Sequence, residues 1–210
     1  MFEEIIKKRR SVRCFKRKDK IAKDDIEHIL EAAKWAPSAR NLQPIEFIII
    51  DDQNTKKALS GACHQNQPEQ VPLVIAVIGN LDVCRKLGQI SSHRVTTSYK
   101  GTHVFIYMDA GACIENMLLQ ATSRGIDSLW ISSFDNEAVA EILLLPENYL
   151  PLAIVCFGHR LMPPFSPQKR KIEDRLYFNH FENKKHDFSY LEECKLINEE
   201  KGELARYKKR

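Results

Sequence analysis

Two helical patterns precede the first strand-like run, and this order constrains the fold more than any other feature of the sequence. Residues Phe2 to Arg9 set Phe2, Ile5 and Ile6 on one face at helical spacing. Ala22 to Trp35 repeats the pattern with Ile26, Ile29, Leu30 and Ala33, and Ala36 follows in phase. Asp24 and Asp25 suit its first turn, where the positive end of the helix dipole favours acids. Pro37 ends it, since proline lacks an amide hydrogen and restricts the residue before it. Only then comes Ile45 to Ile50, a β-branched run suited to a buried strand. A doubly wound sheet would not usually open with two helices.

Three more apolar runs, Leu73 to Ile78, Ser128 to Ser132 and Leu152 to Phe157, predict further strands. "TKKALSGAC" (55–63) and residues 137–144 predict helices, and Pro146 and Pro151 punctuate the link between the last two strands. The longest predicted helix begins at Asp109, read as its N-cap, and ends at Gly125, a glycine suited to the position just past a helix. It opens on small residues, "AGAC", which admit either a crossing helix or a second subunit. Residues 82–102 predict a long loop or partly helical excursion. After Gly158 the chain turns proline-rich, "HRLMPPFSPQKRK", and residues 190–207 read as a charged helix. The expected organisation is one domain over 1–175 and a C-terminal extension over 176–210, with no internal repeat.

The charge pattern narrows the chemistry. Net charge is only +4, with much of the basic excess in "KKRRSVRCFKRKDK", Lys7 to Lys20. Val12 and Phe15 interrupt it as core anchors, and a segment pinned at two points can aim cations at one small anion. A nucleic-acid tail would not need the anchors. The eight glycines build neither G-x-G-x-x-G nor G-x-x-x-x-G-K-[ST], so any nucleotide-like cofactor must be held by side chains and loop amides. The six cysteines (Cys14, Cys63, Cys84, Cys113, Cys156, Cys194) form no C-x-x-C pair, which fits free thiols in a reducing cytoplasm. Cys113 and Cys156 read as core residues. No apolar run of about 18 residues suggests a membrane helix, and "MFEEIIKKRR" does not read as a signal peptide.

One short stretch stands out. "WAPSARNLQP", Trp35 to Pro44, packs a serine, an asparagine and a glutamine into a turn between a helix and a strand. Such side chains could simply satisfy the free carbonyls of a helix end. Together with "RRSVRCF", "GIDSLWISSFD", "CFGHR" and "PQKRK", in this order and spacing, the stretch resembles the FMN-dependent nitroreductase family. The resemblance covers roughly Phe2 to Arg175.

The resemblance implies an α+β fold, a three-layer α/β/α sandwich with a mixed, mainly antiparallel sheet, dimeric, with FMN at the subunit interface. It implies an NAD(P)H-dependent flavin oxidoreductase, with NADH or NADPH as electron donor and an electrophilic small molecule such as a nitroaromatic or quinone as acceptor. Arg9 would meet the FMN phosphate with Lys169 and Arg170, since a guanidinium fork matches phosphate. Arg10 and Ser11 would line the ribityl and phosphate side. Arg13 would reach the pyrimidine edge, where a cation stabilises the negative charge that hydride transfer adds. Pro37, Ser38, Ala39 and Asn41 would contact the flavin held mainly by the partner subunit, and the long helix would centre the dimer. Ser132 and Ser133 would lie close to the ring, at a position where some members carry a Glu-Gly pair. One residue of 64–67 would touch the ring. His159 reads as a surface residue, no side chain takes a catalytic role, and no metal-ligand spacing appears. Two alternatives stand beside this reading: a basic nucleic-acid-binding module without catalysis, and a flavin-fragmenting or dehalogenating member of the same fold.

Overall fold

The computed structural model describes residues 1–17, 19–83 and 103–181. Residues 84–102 of the expected excursion and the whole expected helix at 190–207 lie outside them. The chain separates into two compact units, Met1–Phe165 and Ser166–Arg210.

In the first unit, α1 (Phe2–Lys8), α2 (Lys23–Lys34) and a single 3-10 turn (Ala39–Asn41) come before β1 (Ile45–Ile50). Then follow α3 (Gln53–Ala62), α4 (Gln67–Gln70), β2 (Leu73–Asn80), α5 (His103–Ser123), β3 (Asp127–Ile131), α6 (Asn136–Ile142) and β4 (Tyr149–Gly158). The four strands form an antiparallel sheet in the order β1-β2-β4-β3. Its parallel component is one bridge, Ser11 to Ser128.

Side-chain alternation along the central strands builds a core on each face. Leu73, Ile75 and Val77 of β2, with Ala153, Val155 and Phe157 of β4, pack under α2 and α5. Val74, Ala76, Ile154 and Cys156 face the other way, toward α3, α6, Val12 and Phe15. Both faces are covered, so these strands read as continuous apolar runs. Each fully buried Ile or Val contributes about 1.5–3 kcal/mol.

Two expectations are corrected. α5 begins at His103, so Asp109 lies inside the helix and is not its N-cap. The buried stripe Ile106, Ala110, Cys113, Ile114, Met117 starts before Asp109 and carries the helix back. Gly79 makes this possible, because a Cβ there would stand 2.3 Å from Ile106 Cδ1. β4 likewise starts at Tyr149 and runs through Pro151. A register shift between Val77 and Ile78 places Pro151 at a bulge, where a missing amide hydrogen is tolerated.

The far end of α5 is closed as the sequence suggests. Gly125 has φ +74°, its N–H reaches Thr122 O, and Ile126 N reaches Ala121 O. This is the paired bonding of a glycine-terminated helix. Arg124 ion-pairs with Asp24 and Asp25, clamping the start of α2 to the end of α5. α1 departs from expectation: it buries no residue, and Phe2 and Ile6 stay exposed.

In the second unit, Glu173–Arg175 forms a 3-10 turn, and the Tyr177 and Phe181 rings stack 4.5 Å apart. Lys169 and Arg170 are exposed.

Candidate functional site

The "RSVRCF" stretch is held by backbone bonds along the outer edge of the sheet. Val12 N donates to Ser128 O (3.0 Å), Leu161 N to Cys14 O (2.9 Å) and Lys16 N to His159 O (2.9 Å). Val12 and Phe15 are buried anchors, as the sequence suggests. Gly158 admits Phe15, whose Cδ1 would lie 3.0 Å from a Cβ there. With those two turned in, Ser11, Arg13 and Cys14 are exposed. They line one wall of a cleft of about 230 Å³ whose other wall is Met162 to Phe165.

The arginines take different positions. Arg9 is half-buried, its Nε 3.7 Å from Glu115 Oε1 on α5, a loose ion pair. Arg10 turns back on its own helix end and donates to the carbonyls of Lys7 and Arg9. The Arg13 guanidinium is exposed, and its carbonyl accepts from Gln67 Nε2 at 3.2 Å. Gln67 Oε1 is buried and has no donor among the described residues. Gln67 is therefore the member of 64–67 that stands beside Arg13.

The stretch after β4 is braced by an ion pair that sequence reading missed. Asp127 accepts from Arg160 N (2.7 Å) and Nε (2.8 Å) and is nearly buried. This bond raises the Arg160 pKa above its ordinary value. The pair fixes the start of β3 to the end of β4, which explains the "GID" and "GHR" motifs structurally. His159 Nδ1 lies 3.5 Å from Asp19. Ser132 and Ser133 are exposed just past β3, held in place by Phe134 in the core and by Asp135, which caps α6 through Glu137 N and Ala138 N.

The "PSARN" turn is a second, separate centre. Arg40, Asn41 and Gln43 all have positive φ (53°, 58° and 51°). Non-glycine residues in that region are strained and concentrate at functional sites. Ser38 Oγ accepts from Gln43 N (3.0 Å), Asn41 N donates to Ser38 O, and Leu42 N to Ala39 O. Ser38 thus stabilises the turn itself. Asn41 does not cap α2: its side-chain amide is exposed and has no partner among the described residues. The α2 carbonyl of Ala32 is instead met by Asn116 Nδ2 of α5, at 3.1 Å. Two helical turns earlier, Asp109 accepts from Ala39 N with both oxygens at 3.3 Å. Asp109 is 7% exposed, and burial raises its pKa. Nothing in an isolated "MDAGAC" announces this role; the signal was an acid amid small and apolar residues inside a helix.

Among the described residues, no hydrogen bond or ion pair joins Arg9, Ser11 or Arg13 to Pro37, Ser38, Ala39 or Asn41. The buried thiols are not poised for chemistry: burial pushes Cys63 and Cys113 up to about 11, and Cys156 upward as well. Among the described residues there is no cluster able to hold a metal ion, and no helix is long and apolar enough to cross a membrane.

Comparison with known proteins agrees with this arrangement. The sequence model of the nitroreductase family matches residues 6–159. An Archaeoglobus fulgidus protein, provisionally named an NADH dehydrogenase/NAD(P)H nitroreductase, is 34% identical over 162 residues, covering 74% of this chain and 83% of its own. A Thermus thermophilus protein named NADH dehydrogenase is 31% identical over 171 residues, covering 72% and 83%. A crystal structure from Exiguobacterium sibiricum 255-15, in complex with FMN, superposes with TM-score 0.74 at 25% identity, over 85% of this chain and 97% of that one. The family match spans both the arginine stretch and the strained turn, and with it the sheet order and the long helix find their common origin: this chain belongs to the nitroreductase family.

Proposed function

We propose that the protein is a homodimeric FMN-dependent oxidoreductase that passes hydride from NADH or NADPH through FMN to an electrophilic small molecule such as a nitroaromatic or quinone. The observation that supports this reading is a pair of polar groups of residues, the arginine stretch and the Ser38–Asn41 turn, that share no hydrogen bond or ion pair among the described residues. The arginine stretch lies along the β3 edge, and the strained turn is tied to α5, with unpartnered polar groups at each. A two-fold dimer built on α5 would bring the turn of one subunit to the arginines of the other.

The residues present fit the cofactor. A phosphate needs cations, and Arg9 is half-buried with a loose partner, Glu115, among the described residues. A flavin ring offers a donor at N3 and acceptors at its carbonyls. Gln67 Oε1 lacks a donor, and the Arg13 guanidinium beside it is exposed. When bound, the flavin accepts a hydride from one substrate and gives it to the next. In this reading Arg13 offsets the charge that arrives with the hydride, Arg9 holds the phosphate, and Arg10 and Ser11 line the chain between them. Ser38 keeps the turn in shape, and Pro37, Ala39 and Asn41 contact the partner's cofactor. Ser132 and Ser133 border the ring, and they leave room for a flat acceptor.

The dimer reading rests on uncovered apolar surface. Val104, Tyr107 and Met108 of α5 are exposed, as are Phe2 and Ile6 of α1 and Trp35, the last at 75%. Gly111 has only Trp130 at 4.0 Å, so its missing side chain leaves the outer face open. The nucleic-acid alternative loses ground, because Val12 and Phe15 are buried and pin the basic stretch at two points, and three of its cations pair locally: Lys7 with Glu3, Arg9 with Glu115 and Lys16 with Asp19.

Protein reconstituted with FMN should be yellow, should scatter light at about twice 24.3 kDa, and should oxidise NADH or NADPH when a nitroaromatic or quinone is supplied. A colourless 24.3 kDa protein that binds RNA or DNA would overturn the reading.

A further inference from the structure

We infer that Asp109 is a positioning residue for the cofactor site: its carboxylate fixes the Ser38–Asn41 turn on α5, and so sets where the turn meets the flavin. The inference rests on the flavin reading above.

Three observations carry it. The bonds that shape the turn are internal to it: Ser38 Oγ with Gln43 N, Ser38 O with Asn41 N, Ala39 O with Leu42 N. They fix its form and not its place. The bond that fixes its place comes from Ala39 N, which both Asp109 oxygens accept at 3.3 Å across seventy residues of sequence. Asp109 has no other hydrogen-bond partner and no cation paired with it among the described residues.

A buried carboxylate held by one amide is a poor choice for stability alone, because burial disfavours its charge and one bond offsets little of that cost. Its use lies in what it holds. The turn contains two strained non-glycine residues, Arg40 and Asn41, with Gln43 a third just after it, and such strain persists only where the surroundings hold it. Asn116, two helical turns along the same face, ties Ala32 to α5. Asp109 and Asn116 are thus a pair of polar anchors by which the dimer helix grips α2 and the turn. Asp109 is the anchor nearer the residues that face the cofactor.

The test compares Asp109→Ala, which removes the acceptor, with Asp109→Asn, which retains one. Three quantities are measured on each: FMN affinity by fluorescence quenching, melting temperature, and the rate of tryptic cleavage after Arg40 in FMN-free protein. Asp109→Ala should weaken FMN at least tenfold and speed cleavage at Arg40. Asp109→Asn should restore both to within threefold of the parent. Parental FMN affinity in Asp109→Ala, or equal losses in both variants, overturns the inference while the flavin reading stands. A parent that binds no FMN overturns the flavin reading, and cleavage at Arg40 then decides the tether alone: an unchanged rate in Asp109→Ala refutes it. Should Asp109→Ala fail to fold, Ala39→Pro deletes the same bond from the other side. Proline is tolerated at the first position of a helical turn, and Ser38 before it is already extended (φ −136°, ψ 155°). It should weaken FMN as Asp109→Ala does, and parental affinity refutes the tether.

Discussion

Asn41→Gly separates the two roles that the "PSARN" turn could have. Asn41 sits at φ +58°, a conformation that costs an ordinary L-residue roughly 1–2 kcal/mol and costs glycine nothing. Its side-chain amide bonds to nothing among the described residues, so its removal breaks no hydrogen bond among them. Glycine also widens the unfolded ensemble, by roughly 0.5–1 kcal/mol relative to alanine. These effects oppose one another, and the melting temperature should move little. Asn41→Ala, by contrast, keeps the strain without the asparagine tolerance for it and should lower stability by about 1 kcal/mol. The flavin consequence is independent of both. If Asn41 donates a neutral hydrogen bond to the partner's FMN, its loss removes about 0.5–1.5 kcal/mol, a roughly 2- to 13-fold rise in Kd. The assay is a fluorescence titration of FMN into the dimer, with a melt and a scattering mass on the same preparation. An Asn41→Gly dimer that binds FMN as tightly as the parent would refute the reasoning and leave Asn41 with no part in holding the flavin.

Arg9→Ala should weaken FMN by roughly 1.5–3 kcal/mol, the range for a hydrogen bond to a charged group, and Glu115→Gln should tighten it, because Glu115 competes for the same guanidinium in titrations at low salt. Gly79→Ala should cost about 1–3 kcal/mol by overpacking, and Ile106→Val, which deletes the atom at 2.3 Å, should recover part of that loss in a double-mutant cycle of denaturant melts. Asp109 titrates above its ordinary 3.8 because burial disfavours its charge. The folded state therefore holds that proton more tightly than the unfolded state. Its contribution is most favourable below 3.8 and is lost as pH rises toward the raised value. Asp109→Asn lacks this slope, so its melting temperature relative to the parent should climb as pH rises through that window.

The periodic elements were legible because apolar side chains repeat with the helix or the strand. The stripe Ile26, Ile29, Leu30, Ala33 gave α2, and the runs at Ile45, Leu73 and Leu152 gave three strands within two residues at most boundaries, Tyr149 excepted. The sequence shortens β4 because Pro151 looks like a stop; its bulge depends on the pairing partner at Val77, which no local pattern contains. It shortens α5 because of a false start. Asp109 before small residues imitates a cap, and only the space left by Gly79 on a distant strand shows that the helix continues. The same limit applies to the site. Val12 and Phe15 could be named as anchors from their place among charges. Asp127 with Arg160, Asn116 with Ala32 and Asp109 with Ala39 could not, since each joins residues more than thirty positions apart.

Two of those long-range bonds, Asn116 with Ala32 and Asp109 with Ala39, start from α5 and would link the proposed cofactor site to the proposed dimer interface. One face of α5 is committed to its own protomer: Ile106, Ala110, Cys113, Ile114 and Met117 fill the core, and Asp109 and Asn116 grip α2 and the turn. The outward positions, Val104, Tyr107 and Met108, are left uncovered, and Glu115 on the same helix meets Arg9. One helix of twenty-one residues therefore touches the turn through Asp109 and Arg9 through Glu115, and exposes apolar side chains at Val104, Tyr107 and Met108. In the dimeric reading, pairing two such helices sets the distance from each turn to the opposite arginines without any further contact between them. Apolar packing along α5 then determines cofactor geometry, and the polar anchors need only keep each turn in place on its helix. That division accounts for a sequence that spends its hydrogen-bonding side chains in the turn and its small residues at the middle of the helix beneath it.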